Sequence, residues 1–232
     1  MTLDIIIPTF NEYENLRILL PYLQNLIDKS RTRIIVVDAH CSDDDSASLF
    51  DEFNIEYHKT TKTSRASQLN YGARMGQSDA LLFLHADVRP PDDFVAQIEQ
   101  GLRDYQYGLF CYKFSPSSTL LGINARATKK KSVFSGGGDQ SLFISRSLFE
   151  ESKGYNEEQV IMEDFELFDR LQKGGDYALI QSPAIVSSRK YVKNSWLRVN
   201  LVNLLAFSLF RIGASPNIIQ RFCQRWLRKD AC

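Results

Sequence analysis

The sequence predicts an α/β protein built on a mostly parallel sheet. Three short apolar runs, DIIIP (4–8), RIIVVD (33–38) and ALLFLHAD (80–87), lack polar alternation, which is typical of strands buried on both faces. Segments with helical periodicity separate these runs, and this alternation favours a parallel sheet with right-handed crossovers. A length of 232 residues with 44% hydrophobic and 24% charged residues supports a single domain.

The connections in the first half are predicted in chain order. A helix should follow the first strand, with Pro21 expected to kink or divide it. Ser42 and Asp45 have the spacing of a capping box, so a second helix is expected to begin there. The run IEYHKT (55–60) is a candidate edge strand, and SRASQLNYGARMG (64–76) is a third candidate helix.

The second half has a different pattern. GLFCYKF (108–114) and SLFIS (141–145) are predicted as strands, and EDFELFDRLQK (163–173) as a helix that Gly174 stops. Two further short strands, YALIQ and AIVSSRKY, are expected before a helical tail. We therefore divide the domain into a first half (1–107), a second half (108–194) and a C-terminal helical tail (195–232).

The tail leaves two interpretations open. Its apolar residues favour burial against the body of the protein or against a partner subunit, which would make a homodimer. The alternative is peripheral contact with a membrane surface through tryptophans and arginines. The residues behind the first interpretation are Leu197, Leu201, Leu204, Leu205 and Phe207, and those behind the second are Trp196, Arg198, Arg221, Arg225 and Trp226.

Composition excludes some partners. Lys+Arg and Asp+Glu both number 28, and no long basic stripe is present, which argues against nucleic-acid binding. The four cysteines are widely spaced without a CxxC pair, so we expect free thiols in a reducing compartment. The first residues lack the basic and apolar regions of a secretory signal, and we expect a cytoplasmic protein.

Polar residues end each of the three predicted parallel strands. Thr9 to Glu12 follow the first, Asp38 ends the second, and His85, Ala86 and Asp87 end the third. Ligands of open α/β sheets bind beyond the carboxyl ends of the strands. We therefore expect these residues to face one crevice.

Each of these residues has more than one interpretation. Asp87 is either a solvated acid at a strand end or a ligand for Mg²⁺ or Mn²⁺ that bridges phosphates. His85 lies on the same side of the strand, two residues earlier, and would also suit an ordinary polar strand end. Asp38 could accept an N–H group from a nucleotide base, and Glu12 could bind a ribose hydroxyl or the base region. Three acidic strand ends in one crevice carry more weight together than separately.

Further candidates lie outside the strand ends. Arg65 is either a phosphate or base contact or a surface arginine. Glu163 and Asp164 begin a helix, where the helix dipole favours acids, but one of them could also be a general base. Three glycines at 136–138 form either a flexible turn or a point of close backbone approach to a ligand. Arg189 could neutralise a diphosphate or belong to an exposed basic pair.

Taken together, these motifs resemble those of family 2 glycosyltransferases. The motifs IIIPTFNE, IIVVDAHCSDD, SRASQLNYGA, LLFLHAD, GDQSLFISRSLFE, MEDFELFDRL and SSRKY occur in the expected order. The resemblance covers about residues 3–190 and is closest to a bacterial subgroup associated with arsenosugar biosynthesis. It implies a GT-A fold, with a Rossmann-like sheet and flanking helices, and inverting transfer of a sugar from a nucleotide-activated donor.

The resemblance also implies residue roles. HAD stands where the family usually has DxD, so Asp87 corresponds to the metal ligand and His85 replaces the first acid as a metal or ribose contact. Asp164 in MED corresponds to the catalytic base, and Arg189 to a diphosphate contact. The positions implied for the nucleotide are Pro8, Thr9, Glu12, Asp38, Arg65 and Ala86, and those assigned to the acceptor or sugar are Asp139, Gln140 and Glu163. One departure is that His40 and Cys41 stand where the subgroup commonly has small residues.

The implied partners are a UDP- or GDP-sugar donor and a small-molecule or lipid-linked acceptor, with Mg²⁺ or Mn²⁺ as cofactor. A non-catalytic nucleotide-sugar-binding or scaffold protein is an alternative. A sugar-phosphate nucleotidyltransferase is disfavoured, because PTFNEYEN lacks the glycine-rich basic loop that should follow its first strand. A dinucleotide dehydrogenase is also disfavoured, because it would need GxGxxG at the same place and PTFNEYEN does not contain it.

Overall fold

A computed structural model describes residues 1–39, 41–42, 50, 53, 55–62 and 64–228. The strands are β1 (Leu3–Thr9), β2 (Thr32–Ala39), β3 (Glu56–Thr60), β4 (Ala80–Phe83), β5 (Val88–Arg89), β6 (Tyr107–Ser115), β7 (Phe143–Ser145) and β8 (Ala178–Ser187). The helices are α1 (Tyr13–Leu26), α2 (Arg65–Met75), α3 (Phe94–Asp104), α4 (Thr119–Ala127), α5 (Arg146–Glu151), α6 (Glu163–Gln172), α7 (Arg189–Lys193), α8 (Trp196–Arg211) and α9 (Pro216–Trp226).

All eight strands join one sheet in the order β3-β2-β1-β4-β7-β6-β8-β5. The first four neighbours in this order pair in parallel, and β6 pairs with β8 in parallel. Strand β7 is antiparallel to both β4 and β6, and β5 is antiparallel to β8. The predicted α/β class with a mostly parallel sheet is confirmed, and β3 lies at the edge as expected.

The absence of alternation in β1 has a direct physical cause. Every residue of β1 is buried, and alternate side chains enter two separate apolar clusters. Ile5 and Ile7 pack in the cluster that contains Leu16 and Leu20 of α1, whereas Ile6 packs in the cluster of α2. A strand covered by helices on both faces needs apolar residues at consecutive positions.

Two connections differ from expectation. The predicted division at Pro21 is wrong, because α1 runs as one helix from Tyr13 to Leu26. A proline removes a hydrogen bond to the carbonyl four residues earlier, which belongs to Arg17, but the helix continues past this position. The two short strands predicted after 176 form the single strand β8, whose pairing with β6 is irregular between Phe110 and Tyr112. The helix predicted at Ser42 and Asp45 lies largely outside the described residues.

A buried acid holds together the end of the sheet opposite the strand carboxyl ends. Asp4 accepts hydrogen bonds from Arg33 (3.0 Å), Arg146 (2.8 Å) and both the amide and the hydroxyl of Ser78 (2.9 and 2.7 Å). Burial alone would raise the pKa of Asp4, but the hydrogen bonds from Arg33 and Ser78 outweigh it and lower the pKa. The network links β1 to β2 and α5.

The C-terminal helices pair with each other and with the body. Val199, Val202 and Ala206 of α8 form a small core with Ile219 and Cys223 of α9. The predicted burial against the body is confirmed for Phe207 and wrong for Leu197, Leu201, Leu204 and Leu205, which are exposed. No helix within the described ranges is long and apolar enough to cross a membrane.

Candidate active site

The parallel strands bring the predicted polar ends to one edge of the sheet. Thr9 and Asp38 are register partners at the ends of β1 and β2, and β4 lies on the other side of β1. His85 and Asp87 follow β4 after one buried residue, Leu84. The carboxyl ends of all three strands therefore point in the same direction, as expected for an open α/β sheet.

Asp38 is the most enclosed of the three strand-end acids. Its carboxylate is 2% exposed and accepts hydrogen bonds from the hydroxyls of Thr9 and Tyr57, both at 3.1 Å. Gln68 of α2 donates to the carbonyls of Thr9 (2.7 Å) and Val37 (2.8 Å), which ties α2 to the same strand ends. Pro8 is buried within β1, so its side chain packs inside the protein next to this edge.

Glu12 and Asp87 are linked by one arginine. Arg189 at the start of α7 donates to both oxygens of Glu12, at 2.5 and 3.0 Å. The Nε of Arg189 lies 3.4 Å from Oδ2 of Asp87. Glu12 and Arg189 are 177 residues apart, so this bidentate pair closes the second half of the chain onto the first.

Asp87 is poised between charged and neutral forms. Burial and repulsion by Asp139 and Glu12, opposed by Arg189, together raise the pKa of Asp87 to about 6. Its side chain is 18% exposed, and the preceding Ala86 is buried. An additional positive charge at this carboxylate would favour its ionised form.

His85 is neutral in this environment. Burial, together with repulsion by the nearby Arg65 and Arg189, lowers the pKa of His85 to about 3. Its Nδ1 lies 3.8 Å from Oδ1 of Asp139, which is a polar neighbour beyond ordinary hydrogen-bond distance. A neutral imidazole is the form that can accept a hydrogen bond or ligate a metal.

The glycine turn, residues 136–140, packs between the residues that follow β4 and the start of α6. A Cβ atom on Gly138 would clash with the His85 ring and would lie 2.5 Å from Oδ2 of Asp164. Gly138 opens a 3-10 turn, Gly138–Gln140, whose buried Gln140 accepts a hydrogen bond from the amide of Gly136 (3.0 Å). Close packing, rather than flexibility, is therefore the reason for a glycine at position 138.

The two acids that begin α6 differ in their contacts. Glu163 is 5% exposed at its side chain and forms an ion pair with Arg65 at 3.1 Å. Asp164 lies 4.0 Å from the same arginine and is 14% exposed. Burial and repulsion by Glu163, opposed by attraction to Arg65, together raise the pKa of Asp164 to about 8.

A tyrosine completes the surroundings of Asp164. The hydroxyl of Tyr155 is buried near this carboxylate and makes no hydrogen bond of ordinary geometry with the described residues. Burial raises the pKa of Tyr155 well above its usual value, and the nearby acids Asp164 and Glu163 reinforce that shift. The phenol therefore keeps its proton and can serve as a hydrogen-bond donor to the neighbouring Asp164 carboxylate.

Three non-glycine residues with positive φ surround this region. Asn11 (φ 54°) follows β1, Ser141 (φ 49°) follows the glycine turn, and Met162 (φ 62°) precedes α6. Asn11 is held by Ser42, whose hydroxyl accepts from its amide (3.2 Å) and donates to its side-chain oxygen (3.1 Å). Left-handed backbone at such residues is uncommon and is concentrated at functional sites.

The residues present suit a cation that arrives with phosphate. Among the residues the structure describes, no group of three or more His, Cys, Asp and Glu forms a complete metal cage. Mg²⁺ usually binds through one or two carboxylates and takes its remaining ligands from phosphate and water. Asp139 repels the negative charge of the buried Asp87, and a bound cation would offset this repulsion. Asp87 therefore fits this role, with His85 as a neutral neighbour.

The structure brings together most of the residues singled out from the sequence. His85, Asp87, Asp139, Arg189 and Glu12 form one connected group, and Gly138 joins that group to Asp164, Arg65 and Glu163. Tyr57 and Tyr155 were missed by the sequence analysis. Neither stands in a distinctive motif, and only their contacts with Asp38 and Asp164 reveal them.

A family model matches the sequence of this chain, and solved structures match its fold. The model of the family described as glycosyl transferase family 2 matches residues 4–173. "S. aureus TarS 1-349" has a TM-score of 0.65 at 14% identity, with 97% of this chain and 70% of that chain covered, and a second structure of it is in complex with UDP-GlcNAc. The mannosyltransferase PcManGT from Pyrobaculum calidifontis, in complex with GDP-Man and Mn²⁺, has a TM-score of 0.66 at 17% identity, covering 99% and 68%. No curated protein matches the chain in sequence.

Proposed function

Because the chain belongs to glycosyl transferase family 2, we propose that it moves a sugar from a nucleoside-diphosphate sugar to an acceptor hydroxyl with inversion. The observation that carries this proposal is the position of Gly138, which lies against both His85 and Asp164. A buried carboxylate that can act as a base therefore lies beside the strand end that carries Asp87. The donor diphosphate must be bound on one side of the transferred sugar, at the strand end with Asp87. The acceptor must be deprotonated on the other side, by Asp164.

The donor is expected along the ends of β1, β2 and β4. Thr9, Glu12 and Asp38 would contact the nucleoside, and Arg189 would contact the diphosphate. Arg189 suits this role because its planar donors already match two carboxylates, Glu12 and Asp87, and can exchange them for phosphate oxygens. A UDP- or GDP-sugar is the proposed donor, since structures of similar fold hold UDP-GlcNAc and GDP-Man.

A divalent cation is part of the proposal. Asp87 would hold Mg²⁺ or Mn²⁺ together with the donor phosphates, with His85 as a second contact. When bound, such a cation supplies positive charge that stabilises the leaving diphosphate. The structure with GDP-Man also contains Mn²⁺, which supports divalent metal use without distinguishing Mn²⁺ from Mg²⁺.

Asp164 is the proposed general base. Its carboxylate takes the proton of the acceptor hydroxyl while the acceptor oxygen bonds to the anomeric carbon from the face opposite the nucleotide. The bond from that carbon to the diphosphate oxygen breaks in the same step, and the nucleoside diphosphate leaves with the electron pair. The raised pKa of Asp164 makes its carboxylate a stronger base than an exposed aspartate.

The acceptor is expected on the side of α6 and the glycine turn. Asp139, which is half-exposed, could bind an acceptor or sugar hydroxyl directly. Gln140 and Glu163 are buried, and each already has a protein partner, so we expect them to shape this side of the site. We further propose, from the resemblance of its motifs, that the enzyme belongs to the subgroup associated with arsenosugar biosynthesis and uses a small-molecule or lipid-linked acceptor.

The Asp164→Asn variant tests the role of the base. We expect the variant to bind UDP or GDP with Mn²⁺ as tightly as the wild type while transfer falls by at least about a thousandfold, because the acceptor proton has no recipient. Isothermal titration measures binding. NMR of the product with a panel of nucleotide-sugars measures transfer and reports the anomeric configuration.

Asp169→Asn is the matched control for this experiment. Asp169 lies on the same helix but faces Arg211 of α8 at 2.7 Å, so its loss should leave transfer unchanged. Retained turnover in Asp164→Asn would remove Asp164 from the role of base. A product with the donor's anomeric configuration would contradict the inverting step.

A further inference from the structure

We propose that the outer face of α8 binds the surface of an anionic lipid bilayer. This outer face consists of Leu197, Leu201, Leu204 and Leu205, which are 68%, 53%, 50% and 43% exposed. Four large apolar side chains on a single helix face form a continuous patch rather than the scattered exposed residues of an ordinary surface. The inference does not depend on the donor, the acceptor or the stereochemistry proposed above.

Helix α8 is apolar on two opposite sides. Val199, Val202 and Ala206 face the small core shared with α9 and are almost completely buried. At about 100° of rotation per residue, the four leucines lie within a sector of roughly 100° on the other side. The inner apolar side is explained by packing within the protein, and the outer side needs a separate explanation.

Positive charge surrounds the outer face. The same rotation places Arg211 on one flank of the leucines and Arg198 on the other. Residues 177–228 contain eight Lys and Arg residues and no Asp or Glu, although the whole chain has equal numbers of both signs. Arg211 pairs with Asp169, whereas Arg198, Arg221, Arg225 and Arg228 form no ion pair with the residues that the structure describes. Apolar residues flanked by arginines suit anionic headgroups above an acyl layer.

The apolar surface continues toward the catalytic base. Val133 and Phe134 are 63% and 55% exposed, and the Phe134 ring packs on Phe207 of α8 at 5.0 Å. Phe207 also packs on Phe165, the residue after Asp164, at 5.3 Å. A bilayer on the outer face would therefore lie close to the acceptor side of the site.

A bilayer fits this surface better than a second copy of the chain. In a symmetric dimer the same patch meets itself, and residues 177–228 contain no Asp or Glu that could pair with Arg198. An anionic bilayer supplies the negative charge for this arginine, whereas a second copy of the helix does not.

Vesicle flotation with the full chain tests the proposal. We expect the wild type to float with phosphatidylglycerol-containing vesicles at low salt and to remain mostly soluble with phosphatidylcholine alone. Leu201→Glu and Arg198→Glu should each weaken flotation at least tenfold. Leu201→Glu would place a charge in the acyl region, and Arg198→Glu would replace an attraction to anionic headgroups by repulsion. Thermal unfolding of the same variants, followed by circular dichroism, verifies that they fold.

Ile18→Glu is the matched control, since Ile18 is 47% exposed on α1, outside this surface. Its flotation should equal that of the wild type. Wild-type protein that stays in the lipid-free fraction, or Leu201→Glu that floats normally, would overturn the proposal. A wild-type dimer that Leu201→Glu dissociates without any vesicle binding, seen by analytical ultracentrifugation, would assign the surface to a second copy instead.

Discussion

At the scale of single residues, the site depends on how charges surround Asp164. Two adjacent acids begin α6, and helix capping alone would not distinguish them. The structure separates their environments, because Glu163 pairs with Arg65 at 3.1 Å while Asp164 lies beside Gly138 and Tyr155. Glu163 therefore holds the arginine in place, and the arginine in turn moderates the pKa of Asp164.

This arrangement predicts the pH dependence of transfer. A base must be deprotonated, so kcat/KM should rise with pH and level off above about 8, the pKa of Asp164 in the free enzyme. Arg65→Gln removes the positive charge that lowers this pKa, so the rise should move to higher pH. At pH 7 we expect transfer to fall about tenfold, which corresponds to a pKa increase of about one unit.

Arg74→Gln is the control for this profile. Arg74 lies on the same helix α2, and its nearest acid is Glu157 at 3.9 Å, so its pH profile should match that of the wild type. A profile of Arg65→Gln that fell uniformly at every pH would show that Arg65 acts through binding alone. In that case its expected contact with the nucleotide would be the better explanation.

At the scale of elements, the glycine turn between α4 and β7 sets the distance between the two sides of the site. It packs against His85, which follows β4, and against Asp164, which opens α6. The buried Gln140 stabilises the turn by accepting a hydrogen bond from the amide of Gly136. A close approach of three elements therefore depends on the absence of one side chain.

Gly138→Ala tests this element. The added methyl group should displace His85 or Asp164, and we expect kcat to fall at least tenfold with a stability loss of about 1–3 kcal/mol. Gly122→Ala is the control, because a methyl group at this position on α4 would meet no atom within 4 Å. That change should stabilise the protein by about 0.5–1 kcal/mol and leave transfer intact. Urea unfolding and a transfer assay measure both effects, and an active Gly138→Ala enzyme would contradict the argument.

At the scale of the whole molecule, charge is distributed unevenly along a chain that is neutral overall. The acids are confined to residues before 177, apart from Asp230, and those before 177 include every acid of the candidate site. A crevice lined by acids binds a negatively charged diphosphate poorly unless cations accompany it. Arg65, Arg189 and a divalent ion would supply that positive charge.

Ligand-induced stabilisation of the whole domain should therefore depend on metal. At a ligand concentration of about 100 times Kd, UDP or GDP with Mn²⁺ should stabilise the fold by about 2.7 kcal/mol. For a chain of this size this corresponds to a Tm increase of roughly 5–10 °C. Asp87→Asn should lose the metal-dependent part of the increase, and Asp176→Asn, an exposed acid paired with Lys131, should keep it. If UDP or GDP raised the Tm of the wild type equally with and without Mn²⁺, that result would contradict metal assistance.

The sequence by itself determined the first part of the sheet and its polar edge. Buried strands with helices on both faces require consecutive apolar residues, and this local requirement is visible in β1, β2 and β4. The polar residues at their ends were also predictable, because parallel strands place their carboxyl ends at one edge. The family motifs added the expected roles of Asp87, Asp164 and Arg189.

Only the tertiary structure decided which of these residues contact one another. Arg65 and Glu163 are 98 residues apart, Arg189 and Glu12 are 177 apart, and no local pattern specifies either pair. Helix α8 is apolar on two sides, and only the packing of α9 and α6 shows that its four leucines face outward. Local sequence records the periodicity that an element needs, whereas long-range packing decides which partner each face and each charge finds.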